Sequence, residues 1–68
     1  MITRTQLEEI GFSSTDNTLY YDAPNWDFEY NIKTQDLYRF NEVDGATEHL
    51  CRVTNIEILK EIVENYIL

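Results

Sequence analysis

Large apolar side chains occupy every second position in the stretch WDFEYNI, from Trp26 to Ile32, and the positions between them are polar. A period of two is typical of a β-strand with one buried face and one solvent face. Runs at 19–22, 37–43 and 46–53 predict three further strands, because they are rich in aromatic, β-branched and other apolar residues. The Ala-Pro-Asn segment at 23–25 is predicted to turn the chain between the first two strands.

A short helix is predicted near the start of the chain, in the stretch TQLEEIGF. Two capping boxes could begin it, Thr5 with Glu8 or Thr3 with Gln6. Gly11 suits the left-handed position just after a helix, where glycine carries no steric penalty. The sequence therefore predicts that this helix ends at Gly11 in a Schellman motif, which brings the side chains on either side of the turn into the core.

A second helix is predicted from residue 55 to about 66, within VTNIEILKEIVENYIL. Thr54 and Glu57 have the spacing of a capping box, and Val53 with Ile58 fits a hydrophobic staple. An apolar stripe recurs at helical spacing and predicts the buried side of the helix: Ile56, Leu59, Val63 and Tyr66.

The element order α-β-β-β-β-α predicts one small α+β domain over residues 1–68. Sequential antiparallel strands usually neighbour each other, and a sheet with a single apolar face must bury it against helices. The expected fold is a four-stranded antiparallel β-meander with the N-terminal and C-terminal helices packed on one face.

The Asp44-Gly45 pair predicts a two-residue hairpin turn, with Val43 opposite Ala46. Together with a three- or five-residue loop before the third strand, this register assigns the two sheet faces. The core face is expected to carry Trp26, Phe28, Tyr30, Ile32, Tyr38, Phe40, His49, Cys51 and Val53. The outer face is expected to carry Asp27, Glu29, Asn31, Leu37, Arg39, Asn41, Val43, Leu50 and Arg52, with Glu29 beside Arg39 in the three-residue version.

The net charge of the chain limits the classes of partner that it can bind. The 68 residues include 13 acidic and 5 basic side chains, for a net charge of −8. Nucleic acids and anionic membranes are bound through cationic contacts, so neither is expected as a direct partner. The same charge favours solubility and basic protein partners.

Location is predicted from two absences in the sequence. No apolar run has the length of a signal peptide or of a membrane span. Cys51 is the single cysteine, which excludes an intramolecular disulfide. A cytoplasmic protein is expected, in the host cytoplasm if a phage encodes it.

Candidate chemistry is sparse, and we expect no catalytic residue, cofactor or metal. His49 and Cys51 could form an activated nucleophile, but both are expected to point into the core, where a thiol is inert. Asp22, Asp27 and Glu29 come close in sequence, yet they lack the spacing and the glycine of a calcium loop. The sequence therefore predicts a protein that is not an enzyme.

The expected outer face mixes apolar and charged side chains with no helix to cover it, which favours an interface. A homodimer is expected, in which Leu37, Val43 and Leu50 are buried against a second copy. The residues predicted to contact a protein partner are Asp27, Glu29, Leu37, Arg39, Leu50 and Arg52.

The whole chain resembles a loose class of small proteins from phages and mobile elements. The resemblance rests on LEEIGF near the start, tyrosine-rich strands in the middle and VTNIEILKEIV near the end. It implies a helix, Gly-Phe, β-meander and closing helix, and a role as an inhibitor that binds a host protein, including defence proteins.

The leading functional hypothesis is therefore a non-enzymatic protein-binding module, most concretely a phage-type inhibitor of a host defence protein. In one version of this hypothesis, rows of Asp and Glu side chains take the place of nucleic-acid phosphates on the surface of the host protein. The alternative is a structural or assembly subunit of a larger complex.

Overall fold

The computed structural model describes residues 1–24 and 26–67, except for the side chains of Tyr66 and Ile67. Its elements are α1 (Arg4–Ile10), β1 (Thr18–Asp22), β2 (Trp26–Asn31), β3 (Asp36–Asn41), β4 (Thr47–Arg52) and α2 (Ile56–Ile67). The strands form one antiparallel sheet in the order β1-β2-β3-β4. The predicted α+β meander flanked by two helices is confirmed. The predicted turn at 23–25 and the predicted burial of Tyr66 fall partly or wholly outside the described residues.

Local signals determine both ends of α1. Thr3 is the N-cap of a capping box: its Oγ1 accepts from the Gln6 N–H, and its own N–H donates to the Gln6 Oε1. The second of the two predicted boxes is therefore the one that forms. Gly11 has φ of 111° and ends the helix. The N–H of Phe12 donates to the carbonyl of Leu7 at 3.0 Å, as a Schellman motif requires, and both side chains are buried.

Asn55, rather than Thr54, caps α2. The Asn55 Oδ1 accepts hydrogen bonds from the N–H groups of Glu57 at 2.8 Å and Ile58 at 3.4 Å. The predicted Thr54 box is therefore wrong by one position, and Ile58 is 51% exposed instead of stapled to Val53. Asparagine is at least as good an N-cap as threonine, and from position 55 its side chain accepts from the N–H groups two and three residues further on.

Both helices and one sheet face contribute to a single core. From the strands it takes Leu19, Phe28, Tyr30 and Leu37, each 0% exposed. Tyr30 also donates a hydrogen bond of 2.7 Å from its buried hydroxyl to the Val53 carbonyl, just before α2. The core is completed by Ile2, Leu7, Phe12, Val53, Leu59 and Val63.

The loop between β2 and β3 has four residues, 32–35, instead of three or five. Asn31 pairs with Asp36, and the Asn31 Oδ1 accepts hydrogen bonds from the N–H groups of Lys33 and Thr34. Gln35 closes the loop with φ of 62° and donates its N–H to the Asn31 carbonyl. A glutamine in this left-handed conformation is uncommon, so residue preference alone does not predict the loop.

A second loop of the same design joins β3 and β4. Asn41 accepts hydrogen bonds from the Val43 N–H through its side chain and from the Gly45 N–H through its carbonyl. Gly45 has φ of 73°. The N–H of Asn41 donates to Ala46, so residues 42–45 form a four-residue loop and the predicted two-residue Asp-Gly turn is wrong. Glycine takes a left-handed position in a two-residue turn and in a four-residue loop, so the Asp-Gly pair alone does not distinguish the two.

The four-residue loop between β2 and β3 reverses the predicted faces of β3. Tyr30 pairs with Leu37 and Glu29 with Tyr38, one residue away from the predicted register. Because neighbouring strand residues alternate between faces, this single step moves Leu37 into the core and Tyr38 and Phe40 to the outer face.

The β3–β4 pairing then shifts between Leu37 and Tyr38. Tyr38 pairs with His49, whereas Leu37 pairs with Cys51, so Leu50 is the extra residue of the bulge. His49 is therefore exposed on the outer face, and Cys51 packs half-buried against the core. Their predicted common face is wrong for this reason.

Unfolding energies should distinguish the two registers. Leu37→Ala removes a fully buried side chain and should lower the free energy of unfolding by about 2–5 kcal/mol. Phe40→Ala removes a larger side chain from the outer face of the same strand and should have the smaller effect. Urea denaturation of both variants checks this, and a larger loss for Phe40→Ala would contradict the register.

Candidate protein-binding face

The sheet face opposite the helices, here called the outer face, presents three rows of paired side chains. Residues that pair directly across antiparallel strands share a face, with Cβ atoms about 4.5–5.5 Å apart. The rows, read from β1 to β4, are Asp22–Asp27–Phe40–Thr47, Tyr20–Glu29–Tyr38–His49 and Thr18–Asn31–Asp36–Arg52. None of these side chains belongs to the core or to the hydrophobic residues packed against it.

Three of the six predicted contact residues lie on this face. Asp27 and Glu29 project from β2 and are half-buried among their neighbours. Arg52 is exposed at the end of β4 and pairs with Asp36. The alternation within β2 is sufficient to place the two acids, because that strand has no irregularity.

The other three predicted contact residues do not lie on the outer face. Leu37 is 0% exposed, so its side chain cannot contact a partner. Leu50 is half-buried and packs against the core.

Arg39 pairs with Phe28 and Glu48, which places it on the helix-side face instead of beside Glu29. Its guanidinium lies 5.6 Å from the centre of the Trp26 ring and 2.6 Å from the Glu48 carboxylate. These contacts hold the Arg39 side chain on the helix-side face, away from the outer face.

The middle row of the outer face is held in place from both edges. On β1, the backbone of Tyr20 exchanges two hydrogen bonds with Ser13, and its side chain is 43% exposed. On β4, the His49 ring meets the Tyr38 ring edge-on, with centres 5.2 Å apart. The His49 Nε2 also lies 3.0 Å from a carboxylate oxygen of Asp36, and this contact holds the pKa of Asp36 below its ordinary value.

Three carboxylates meet at one corner of the outer face. Asp22 pairs with Asp27 across β1 and β2, and Glu42 reaches them from the β3–β4 loop. One oxygen from each residue lies within 4.8 Å of the other two. Among the described residues, no N–H group donates to the buried Oδ1 of Asp27.

The pKa of Asp27 is raised from 3.8 to about 6, first by burial, then by its hydrogen bond with Asp22 and by the charge of Glu42. Carboxylates of this kind could hold a hard cation or share a proton. Sequence spacing singled out Asp22 and Asp27 but paired them with Glu29, because the four-residue loop that delivers Glu42 was not predicted.

Both sheet edges are protected against the addition of a further strand. Ser13 bridges to Tyr20 and covers part of the β1 edge. The β4 edge contains the bulge at Leu50 and the charged residues Glu48 and Arg52. Bulges and charges are common means of keeping an edge strand from pairing with another chain, so the flat outer face is the better candidate for an interface.

The chain matches no family model, no curated protein and no solved structure. Neither described helix is long and apolar enough to cross a membrane. The site is therefore interpreted from its geometry.

The cluster of Asp22, Asp27 and Glu42, here called the acidic corner, predicts how the stability of the fold depends on pH. Because the folded-state pKa of Asp27, about 6, lies above its ordinary 3.8, the folded protein binds this proton more tightly than the unfolded chain. The resulting stability is complete below the ordinary pKa and is lost as the pH rises through 6. Asp27→Asn removes the titrating group, so its stability relative to wild type should increase between pH 5 and pH 7.

The measurement is the midpoint of urea denaturation of wild type and of Asp27→Asn at several pH values between 5 and 7. Glu61→Gln, an exposed change on α2 away from the corner, is the control and should parallel wild type. A constant difference between Asp27→Asn and wild type from pH 5 to pH 7 would show that the corner does not hold the proton.

Proposed function

We propose that the protein is a non-enzymatic binding module that uses its outer face to contact a protein with a basic surface. The observation that carries the proposal is the aromatic character of a face that neither described helix covers. Tyr20 on β1 is 43% exposed, and Tyr38 and Phe40 on β3 are partly exposed. Tyrosine and phenylalanine are enriched in protein interfaces, where they supply large contact areas.

The charge of the face favours a basic partner. Its carboxylates are Asp22, Asp27, Glu29 and Asp36, and its one arginine is Arg52. The whole chain carries a net charge of −8. Such a surface accelerates the encounter with a positively charged partner and disfavours an acidic one.

A second copy of the chain fits this face less well. The predicted homodimer relied on Leu37, Val43 and Leu50 sharing the outer face. Leu37 instead lies in the core and Leu50 packs against it, and Val43 lies in the β3–β4 loop, 88% exposed. Two outer faces brought together would oppose one set of carboxylates to another, so we favour a different protein as the occupant.

Inhibition of the partner is the more specific form of the proposal. An acidic protein that covers a basic surface also blocks nucleic acid from that surface, because both occupants use the same cations. The resemblance to small phage proteins points to the same role, with a host protein as the target. A subunit of a larger assembly would use the same face but would remain bound continuously.

Matched charge reversals test the use of the face. Glu29→Arg changes the centre of the outer face, whereas Glu61→Arg makes the same change of charge at an exposed position on α2. The two variants and wild type would be immobilised and exposed to an extract of the cells in which the protein is made. We expect wild type and Glu61→Arg to retain a protein with a basic surface, and Glu29→Arg to lose it.

Retention should weaken between about 50 and 300 mM salt, because salt screens charged surfaces. Circular dichroism checks that both variants are folded. Equal retention by Glu29→Arg and Glu61→Arg, or no retained protein with wild type, would contradict the proposal. Sedimentation of wild type at high micromolar concentration tests whether the outer face binds a second copy of the chain. A dimer that is lost in Glu29→Arg but kept in Glu61→Arg would show that the face binds a second copy and not a basic partner.

A further inference from the structure

The geometry points to Glu29, between Tyr20 and Tyr38, as the residue that binds a guanidinium group. The basic partner supplies this group from an arginine side chain. This inference rests on the proposed function and names the group that the outer face recognises. It concerns the middle row of the face rather than the acidic corner.

The register places one aromatic residue on each side of Glu29. Glu29 pairs with Tyr20 on β1 and with Tyr38 on β3, so one tyrosine lies beside it on each neighbouring strand. His49 contacts the Tyr38 ring at 5.2 Å, and Asp36 holds His49 at 3.0 Å. Tyr38 is therefore supported before any partner binds, which reduces the entropy lost on binding.

Glu29 has capacity to bind a cation. The ion pairs among the described residues join Arg39 with Glu48, His49 with Asp36, and Lys60 with Glu57, and none includes Glu29. No described residue donates a hydrogen bond to its carboxylate. A carboxylate that is half-buried without a cationic partner is favourably placed to gain one.

The surrounding charges favour a cation at this position. Asp27 precedes Glu29 on the same face of β2 at about 6.8 Å, the usual spacing of same-face residues. Asp36 lies on the other side of the row, although its carboxylate already contacts His49. Arg52, the one arginine of this face, pairs with Asp36 rather than with Glu29.

A guanidinium suits this site better than an ammonium. It is planar and can donate two parallel hydrogen bonds to one carboxylate. The same plane can stack on an aromatic ring, and arginine engages aromatic rings more often than lysine does. A carboxylate between two tyrosines offers both kinds of contact, whereas an ammonium uses the site only as a point charge.

Short peptides isolate this interaction from the rest of the interface. The probe is a blocked six-residue peptide of alternating arginine and glycine, compared with peptides that carry lysine or the neutral analogue citrulline instead. Backbone amide signals of the ¹⁵N-labelled protein report the position and the strength of binding. We expect the arginine peptide to shift the signals of Tyr20, Glu29 and Tyr38, lysine to bind at least threefold more weakly, and citrulline not to bind.

Variants of the protein determine which side chains bind the arginine peptide. Glu29→Gln should weaken the arginine peptide at least fivefold, whereas Glu64→Gln, an exposed change on α2, should leave its affinity unchanged. Tyr38→Leu keeps apolar bulk but removes the ring and should also weaken binding. Equal affinities for Glu29→Gln and Glu64→Gln, or equal binding of the lysine peptide, would overturn the inference, as would shifts confined to Asp22, Asp27 and Glu42.

The failure of this inference and the failure of the proposed function give different results. If Glu29→Arg loses a basic protein but Glu29→Gln binds the arginine peptide normally, the face is an interface without an arginine site. If the peptide binds at Glu29 but no basic protein is retained, the arginine site exists and the proposed protein-binding function is wrong.

Discussion

The four-residue loop between β2 and β3 controls the surface that the sheet presents. Asn31 bonds to the Lys33 and Thr34 N–H groups through its side chain and to the Gln35 N–H through its carbonyl. These bonds bring Asp36 opposite Asn31 and Leu37 opposite Tyr30. A loop one residue shorter or longer would reverse β3, expose Leu37 and bury Tyr38, because strand side chains alternate between faces.

Everything proposed for the outer face follows from that register. It brings Tyr38 beside Glu29, and the pairing of β3 with β4 brings His49 against Tyr38. The same pairing extends the β3–β4 loop so that Glu42 reaches Asp22 and Asp27. The aromatic and acidic parts of the face are thus adjacent, which suits a partner that offers both cationic groups and flat contact area.

The helix-side face shows how a domain of this size is stabilised without a disulfide. Its four strand residues at 0% exposure meet apolar side chains from both helices. The buried Tyr30 hydroxyl has its hydrogen bond satisfied by the Val53 carbonyl, and burial raises the pKa of this tyrosine to about 12. The core thus uses one face of the sheet, and neither described helix covers the outer face.

The sequence by itself determined the six elements, their order, the Schellman end of α1 and the outward direction of Asp27 and Glu29. Those features depend on periodicity and capping, which act over a few neighbouring residues. Only the tertiary structure decided the positions of Leu37, Arg39, Tyr38 and His49. The reason is that loop length, the left-handed Gln35 and the bulge at Leu50 each change the strand register by whole residues, and their choice depends on how the sheet packs against both helices.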